Sequence, residues 1–138
     1  MDCMLETLNS GLPGLGLALS DSQKETLCAF GRAVIQQNQV MNLTAITQPE
    51  QVAKLHLLDS LTVLTCGDLS GLQLIDVGCG AGFPGVPLAI GCPQLEVTLL
   101  DSLGKRVHWL EEILPQLGIR ATCLTARAEE AVADRREQ

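Results

Sequence analysis

The chain has 138 residues, of which 46% are hydrophobic, and a formal net charge of −7 at pH 7. This length predicts one structural unit with one core. The acidic balance argues against a strongly electropositive nucleic-acid binder, because affinity for phosphate backbones rests on clustered Lys and Arg. Six scattered cysteines and two histidines show no zinc-ligand or disulfide spacing, so we expect no metal.

The N-terminal segment shows no sign of membrane insertion or secretion. It carries Asp2 and Glu6 before any basic residue, and the apolar stretch at residues 11–19 is too short to span a bilayer. We therefore expect a cytoplasmic protein that does not bind membranes.

Residues 1–70 have the pattern of a helical region. Ser20-Asp21-Ser22-Gln23 fits a capping box, and apolar residues at helical spacing then predict a helix over residues 21–39. Thr47-Gln48-Pro49-Glu50 is a second start signal, with Thr47 as the N-cap, proline in the first turn and Glu at the third position.

Residues 71–138 instead alternate strands with helices, which predicts right-handed parallel βαβ units in an α/β fold. We interpret residues 71–138 as part of a ligand-binding domain, which forms one structural unit with residues 1–70. The predicted strands are residues 72–77, 95–100 and 120–125, and the predicted helices are residues 85–91 and 103–117.

A glycine loop follows the first predicted strand. The run from Leu74 to Val77 ends in Gly78, Gly80 and Gly82, and a helix is predicted to open at Gly85. Glycine is needed where the backbone takes a positive φ or where a ligand approaches the main chain. We therefore expect a nucleotide-like ligand on this loop.

Asp101 ends the second predicted strand, 19 residues after Gly82. An acid at this place can accept hydrogen bonds from both hydroxyls of a ribose. The alternative is that Asp101 only caps the helix that starts near Leu103.

Asp76 bears on which nucleotide binds. Gly80-x-Gly82-x-x-Gly85 satisfies the dinucleotide fingerprint, so NAD is a candidate. An acid two residues before the loop would repel a pyrophosphate, however, and suits the ammonium and sulfonium of S-adenosyl-L-methionine. The alternative is that Asp76 is a structural acceptor for the amides of the loop.

Several segments together resemble the bacterial 16S ribosomal RNA guanine-N7 methyltransferases, once called glucose-inhibited division protein B. The glycine loop, Asp-Val-Gly-Cys-Gly-Ala-Gly-Phe-Pro-Gly, is the most specific of them. The resemblance implies a Rossmann-like class I methyltransferase fold with a mostly parallel sheet and an N-terminal helical extension. Its segments are residues 41–46, 56–61, 76–90, 99–107 and 127–130.

The resemblance also implies roles for single residues. Gly78 and Phe83 would line the methionine and sulfonium side of S-adenosyl-L-methionine, and Asp101 would hold its ribose. Ala128 and Glu129 would flank the adenine. From the residues alone, the alternatives are that Phe83 belongs to the core and that Ala128-Glu129 is an ordinary first helical turn.

The implied reaction transfers a methyl group from a sulfonium to guanine N7 in 16S ribosomal RNA, free or in the small ribosomal subunit. Guanine N7 has a free lone pair, so no general base is needed and we name no catalytic proton-transfer residue. Lys105 and Arg106 are the candidates for RNA phosphate, or else a solvated helix face. His56 lies in the family-like segment at residues 56–61, and the alternative is a packing or surface residue on a leucine-rich helix.

The sequence departs from the family in that the later strands have no counterpart before Gln138. With a strand order of 3-2-1-4-5, the first strand would be left as an apolar edge. We therefore expect a chain that is truncated at its C-terminus and lacks C-terminal strands. The alternative function is a non-catalytic Rossmann module that binds S-adenosyl-L-methionine or NAD.

Overall fold

The computed structural model describes residues 3–126, and its first part is helical. Helix α1 is Cys3–Gly11, a 3-10 turn follows at Pro13–Leu15, and helix α2 is Asp21–Met41. The predicted capping box is confirmed, because the Ser20 hydroxyl accepts from the Gln23 amide and the Gln23 side chain accepts from the Ser20 amide. Helix α2 runs two residues beyond the predicted end.

The second helical segment differs from the prediction at its start. The N-cap is Gln48 rather than Thr47, and no side chain caps the first turn. Glu50 instead pairs with Lys54 at 3.0 Å on the exposed surface. The segment comprises α3 (Pro49–Gln51), a π-helix (Val52–Leu58), α4 (Asp59–Leu61) and a 3-10 turn (Thr62–Cys66).

Three parallel strands form the sheet in the order β1-β2-β3. Each strand starts one or two residues later than predicted. Asp76 of β1 lies opposite Leu99 of β2. The strands are β1 (Gln73–Val77), β2 (Glu96–Asp101) and β3 (Thr122–Thr125).

Two helices follow the strands as predicted, α5 (Gly85–Gly91) after β1 and α6 (Gly104–Gln116) after β2. Helix α5 packs closely on the sheet, since a Cβ on Gly85 would lie 2.4 Å from the Leu99 Cδ2. This face of the sheet, α5, α6 and the N-terminal helices share one core. Its fully buried large side chains include Met4, Leu8, Leu27, Phe30, Val34, Leu57, Leu61, Leu88, Leu99, Leu110 and Leu114.

The opposite face of β1 is apolar and open. Ile75 and Val77 alternate with the buried Asp76, and Val77 is 58% exposed. Within residues 3–126, β1 pairs with β2 alone, so the predicted apolar edge is present. No helix in that range is long and apolar enough to cross a bilayer.

Candidate functional site

The glycine loop, residues 78–85, lies at the carboxyl end of β1. Gly78 and Gly80 have φ values of 69° and 55°, and a Cβ on either would meet no atom within 4 Å. Gly82 differs, because its Cβ would lie 2.8 Å from the Val86 side chain and 3.0 Å from Phe30. The first part of the loop therefore faces open space, whereas Gly82 is packed against the core.

Asp76 fixes the loop to helix α5. The residue is 8% exposed, and its carboxylate accepts from the Gly85 amide at 2.9 Å. Burial raises the pKa of Asp76, the Gly85 amide partly opposes that rise, and the charge of Asp101 adds to it. Asp76 thus accepts a hydrogen bond from a loop amide, which the sequence analysis gave as one of two alternatives. Its contact with a cofactor remains a prediction.

Asp101 ends β2, the strand that pairs with the one holding Asp76. One carboxylate oxygen accepts from the Gly80 amide at 2.8 Å and the other from the Leu103 amide at 2.9 Å. Burial alone would raise the pKa of Asp101. The hydrogen bonds from the two amides and the positive charge of Arg106 have the larger combined effect, so the pKa is lowered. Asp101 is therefore an ionised acceptor at neutral pH.

The cap alternative for Asp101 is wrong. The N-cap of helix α6 is Leu103, whose own side chain makes no capping hydrogen bond, and Asp101, two residues before the cap position, accepts from the Leu103 amide. Asp101 instead orders the two-residue turn before that helix and the glycine loop beside it. Its predicted contact with a ribose remains a prediction.

Lys105 and Arg106 are adjacent in the sequence but lie in different surroundings. Lys105 is exposed. Arg106 is partly buried, and its Nη1 lies 3.5 Å from the Asp101 carboxylate. Arg106 is therefore part of the Asp101 site, whereas Lys105 is the one of the two that projects into solvent.

Phe83 connects the glycine loop to the helical part of the chain. Its ring stacks on His56 with centroids 4.4 Å apart and an interplanar angle of 7°, and it meets Phe30 edge-on at 5.6 Å. His56 Nε2 is 2.9 Å from the Thr44 hydroxyl. Sequence reasoning missed this contact, although the family-like segments that hold Thr44 and His56 were the available signal.

Two further features limit the chemistry of the site. Burial raises the pKa of the Cys79 thiol to about 12, so this loop cysteine is protonated at neutral pH and is a poor nucleophile. Among residues 3–126, no group of His, Cys, Asp and Glu has an arrangement that could hold a metal ion. The predicted adenine-side residues Ala128 and Glu129 lie outside the described residues.

Comparison with known proteins bears on the same segments. Residues 23–138 match the family model described as rRNA small subunit methyltransferase G, GidB. The chain belongs to this family. Its Rossmann-like α/β fold, with a helical N-terminus before a parallel sheet, is therefore the fold that the sequence predicted.

Individual family members agree over most of the chain. The ribosomal RNA small subunit methyltransferase G of Alkaliphilus metalliredigens is 43% identical over 89% of this chain and 52% of its own length. The proteins of the same name from Pelotomaculum thermopropionicum and Yersinia pestis are 39% and 43% identical, over 97% and 84% of this chain. They are covered over 57% and 55% of their lengths. The chain thus spans about half the length of these curated relatives.

Proposed function

We propose that this family member serves S-adenosyl-L-methionine-dependent methyl transfer to N7 of a guanine in 16S ribosomal RNA, in the cytoplasm. The observation that carries the proposal is the ionised Asp101, which lies beside open glycine backbone at the carboxyl end of β2. In parallel α/β sheets this edge is where ligands bind.

The loop suits a ligand without phosphate better than a dinucleotide. Dinucleotide folds bind a pyrophosphate on free amides at the N-terminus of the helix after the loop. At helix α5 the Gly85 amide donates to Asp76, the Val86 amide to the Gly82 carbonyl and the Leu88 amide to the Pro84 carbonyl. Pro87 has no N–H. No amide of this first turn is left for a pyrophosphate, and the Asp76 carboxylate lies against its first residue.

The carboxylate of Asp101 keeps acceptor capacity for a ribose, although the residue is only 3% exposed while Arg106 lies against it. A carboxylate has about four acceptor positions, of which two are taken by the Gly80 and Leu103 amides. Two positions remain for the two ribose hydroxyls, and Arg106 now lies 3.5 Å from one of the oxygens. Ribose binding therefore requires Arg106 to give up its contact with Asp101.

Bound S-adenosyl-L-methionine would supply an electrophilic methyl group on a cationic sulfur. The chain's own contribution is then positioning and electrostatics, because guanine N7 needs no deprotonation. Asp76 and Asp101 each accept from an amide of the loop, and their charge would favour a cationic ligand. Phe83, in the same loop, would supply an apolar wall. Lys105, which is exposed on α6, would meet RNA phosphate.

The test is methyl transfer from labelled S-adenosyl-L-methionine to 16S ribosomal RNA, free and in the small ribosomal subunit. We expect label at guanine N7, with the rate reduced at least tenfold by Asp101→Asn through lost charged hydrogen bonds. Asp68→Asn, an exposed acid in the turn before β1, is the matched control and should change nothing. Ligand binding without methyl transfer would support the alternative of a non-catalytic module if a chain of the relatives' full length also transferred no label.

A further inference from the structure

A chain of contacts runs from helix α2 to the glycine loop. The Asn38 side chain accepts from the Thr44 amide at 2.8 Å, and the Thr44 hydroxyl meets His56 Nε2 at 2.9 Å. The His56 ring then stacks on Phe83 at 4.4 Å. The Thr44 hydroxyl also accepts from the Ile46 amide at 3.1 Å, so its orientation is fixed by its own turn.

The backbone at His56 is unusual. His56 lies in the π-helix Val52–Leu58, between the short α-helices α3 and α4. π-Helical turns are rare and are found often at functional sites. Leu57, the next residue, is fully buried, whereas His56 is only partly covered and reaches the loop. The π-helix thus packs in the core through Leu57, while the His56 ring contacts Phe83 of the glycine loop.

The stacked contact with Phe83 suits a neutral His56 imidazole. Burial lowers the pKa of His56, and the charge of Asp59 offsets this only in part. The imidazole is therefore uncharged at neutral pH and brings no positive charge close to a cationic ligand. Its parallel stack leaves Phe83 held between His56 and the edge-on Phe30.

We propose that His56 is a positioning residue, which holds the Phe83 ring in place as the wall for the methionine half of the methyl donor. The proposal rests on the proposed function and deepens it. It assigns the N-terminal helical region a part in donor binding, because Asn38 and Thr44 orient His56 and His56 orients Phe83. The ribose end, at Asp101, does not depend on these contacts.

Binding of S-adenosyl-L-methionine and of adenosine to the whole chain tests the proposal. Trp109 is the single tryptophan and lies 6.2 Å from Phe30, so its fluorescence can report both titrations. We expect His56→Ala to weaken S-adenosyl-L-methionine binding about three- to tenfold, the worth of an aromatic pair. Adenosine binding should stay within about twofold of the wild type.

Matched variants separate positioning from folding. His56→Phe keeps a stacked ring and should restore donor affinity to within about twofold, whereas Thr44→Val should lower it by a smaller factor than His56→Ala. His108→Ala changes the other histidine, which is exposed and paired with Glu112, and should have no effect. Thermal unfolding of each variant checks that the chain is folded.

Three results would overturn the proposal. Equal losses for S-adenosyl-L-methionine and adenosine in His56→Ala would give His56 a merely structural role. Unchanged donor affinity in folded His56→Ala would give it none. A wild-type chain that binds adenosine but no S-adenosyl-L-methionine would remove the proposed function itself, and with it any role for His56 in donor binding.

Discussion

Asp76 and Asp101 lie near the ends of neighbouring strands, and each accepts one amide of the glycine loop, at 2.9 Å and 2.8 Å. Their surroundings nevertheless differ. Burial leaves Asp76 with a raised pKa and one amide partner, whereas two amides and Arg106 lower the pKa of Asp101. We infer that Asp76 holds the loop on the helix, while Asp101 holds it and keeps acceptor capacity for a ligand.

The largest expected effect is on stability, at Asp76. Asp76→Ala leaves the buried Gly85 amide without an acceptor, which should lower the free energy of unfolding by about 2 kcal/mol. Asp76→Asn retains an acceptor oxygen and should cost less than about 1 kcal/mol. Urea unfolding measures both. Equal losses in the two variants would show that the Gly85 hydrogen bond is not what Asp76 supplies.

A smaller effect, on ligand affinity at Asp101, is expected from a change of Arg106. Arg106→Met keeps the alkyl packing but frees the Asp101 oxygen that the guanidinium contacts at 3.5 Å. Adenosine affinity should rise by up to about fivefold, the scale of a partly exposed ion pair. Isothermal titration measures it, with Arg120→Met as an exposed control. A fall in affinity would mean that Arg106 binds the ligand rather than competing with it.

The smallest effect is a difference in pH dependence. Because the pKa of Asp76 is raised, acidification protonates this carboxyl in the folded state before it does so in the unfolded state. Lowering the pH from 7 toward 3.8 should therefore stabilise the wild type relative to Asp76→Asn. The lowered pKa of Asp101 has the opposite sign. Its stabilisation is complete above about pH 3.8 and is lost below it, as the pH falls through the folded-state pKa.

Unfolding of the wild type, Asp76→Asn and Asp101→Asn at several pH values measures this difference. The gap between the wild type and Asp101→Asn should stay constant from pH 7 to about pH 4.5, while the gap to Asp76→Asn moves in favour of the wild type. Parallel behaviour of the two variants would show that the carboxylates are equivalent.

Local signals explain what the sequence could predict. The Ser20-Gln23 capping box involves residues three apart and fixed the start of helix α2. The bounds of α5 were predicted correctly because glycines flank a short apolar run. The N-cap of the next segment was misplaced by one residue, since Thr47 and Gln48 both precede Pro49 and only the backbone decides between them.

Contacts between distant residues explain the rest. The motif spacing placed Asp101 at the same site as the glycine loop, but it could not indicate the hydrogen bond to Gly80, 21 residues away. His56 meets Phe83 across 27 residues, and no periodicity or motif spacing indicates that pair. The sequence marked Asp76 and Asp101 alike as ligand residues, because it carries no information on burial or on which amides are close. Only the fold shows that burial dominates at Asp76, whereas two amides and Arg106 surround Asp101.

The most direct test of the account is titration of the chain with S-adenosyl-L-methionine and with NAD, followed by Trp109 fluorescence, for the wild type and Asp101→Asn. We expect S-adenosyl-L-methionine to bind, NAD to show no saturable binding, and Asp101→Asn to lose at least tenfold in affinity while remaining folded. Preferential binding of NAD, or a folded Asp101→Asn with wild-type affinity, would contradict the assignment of this loop and carboxylate to a methyl donor.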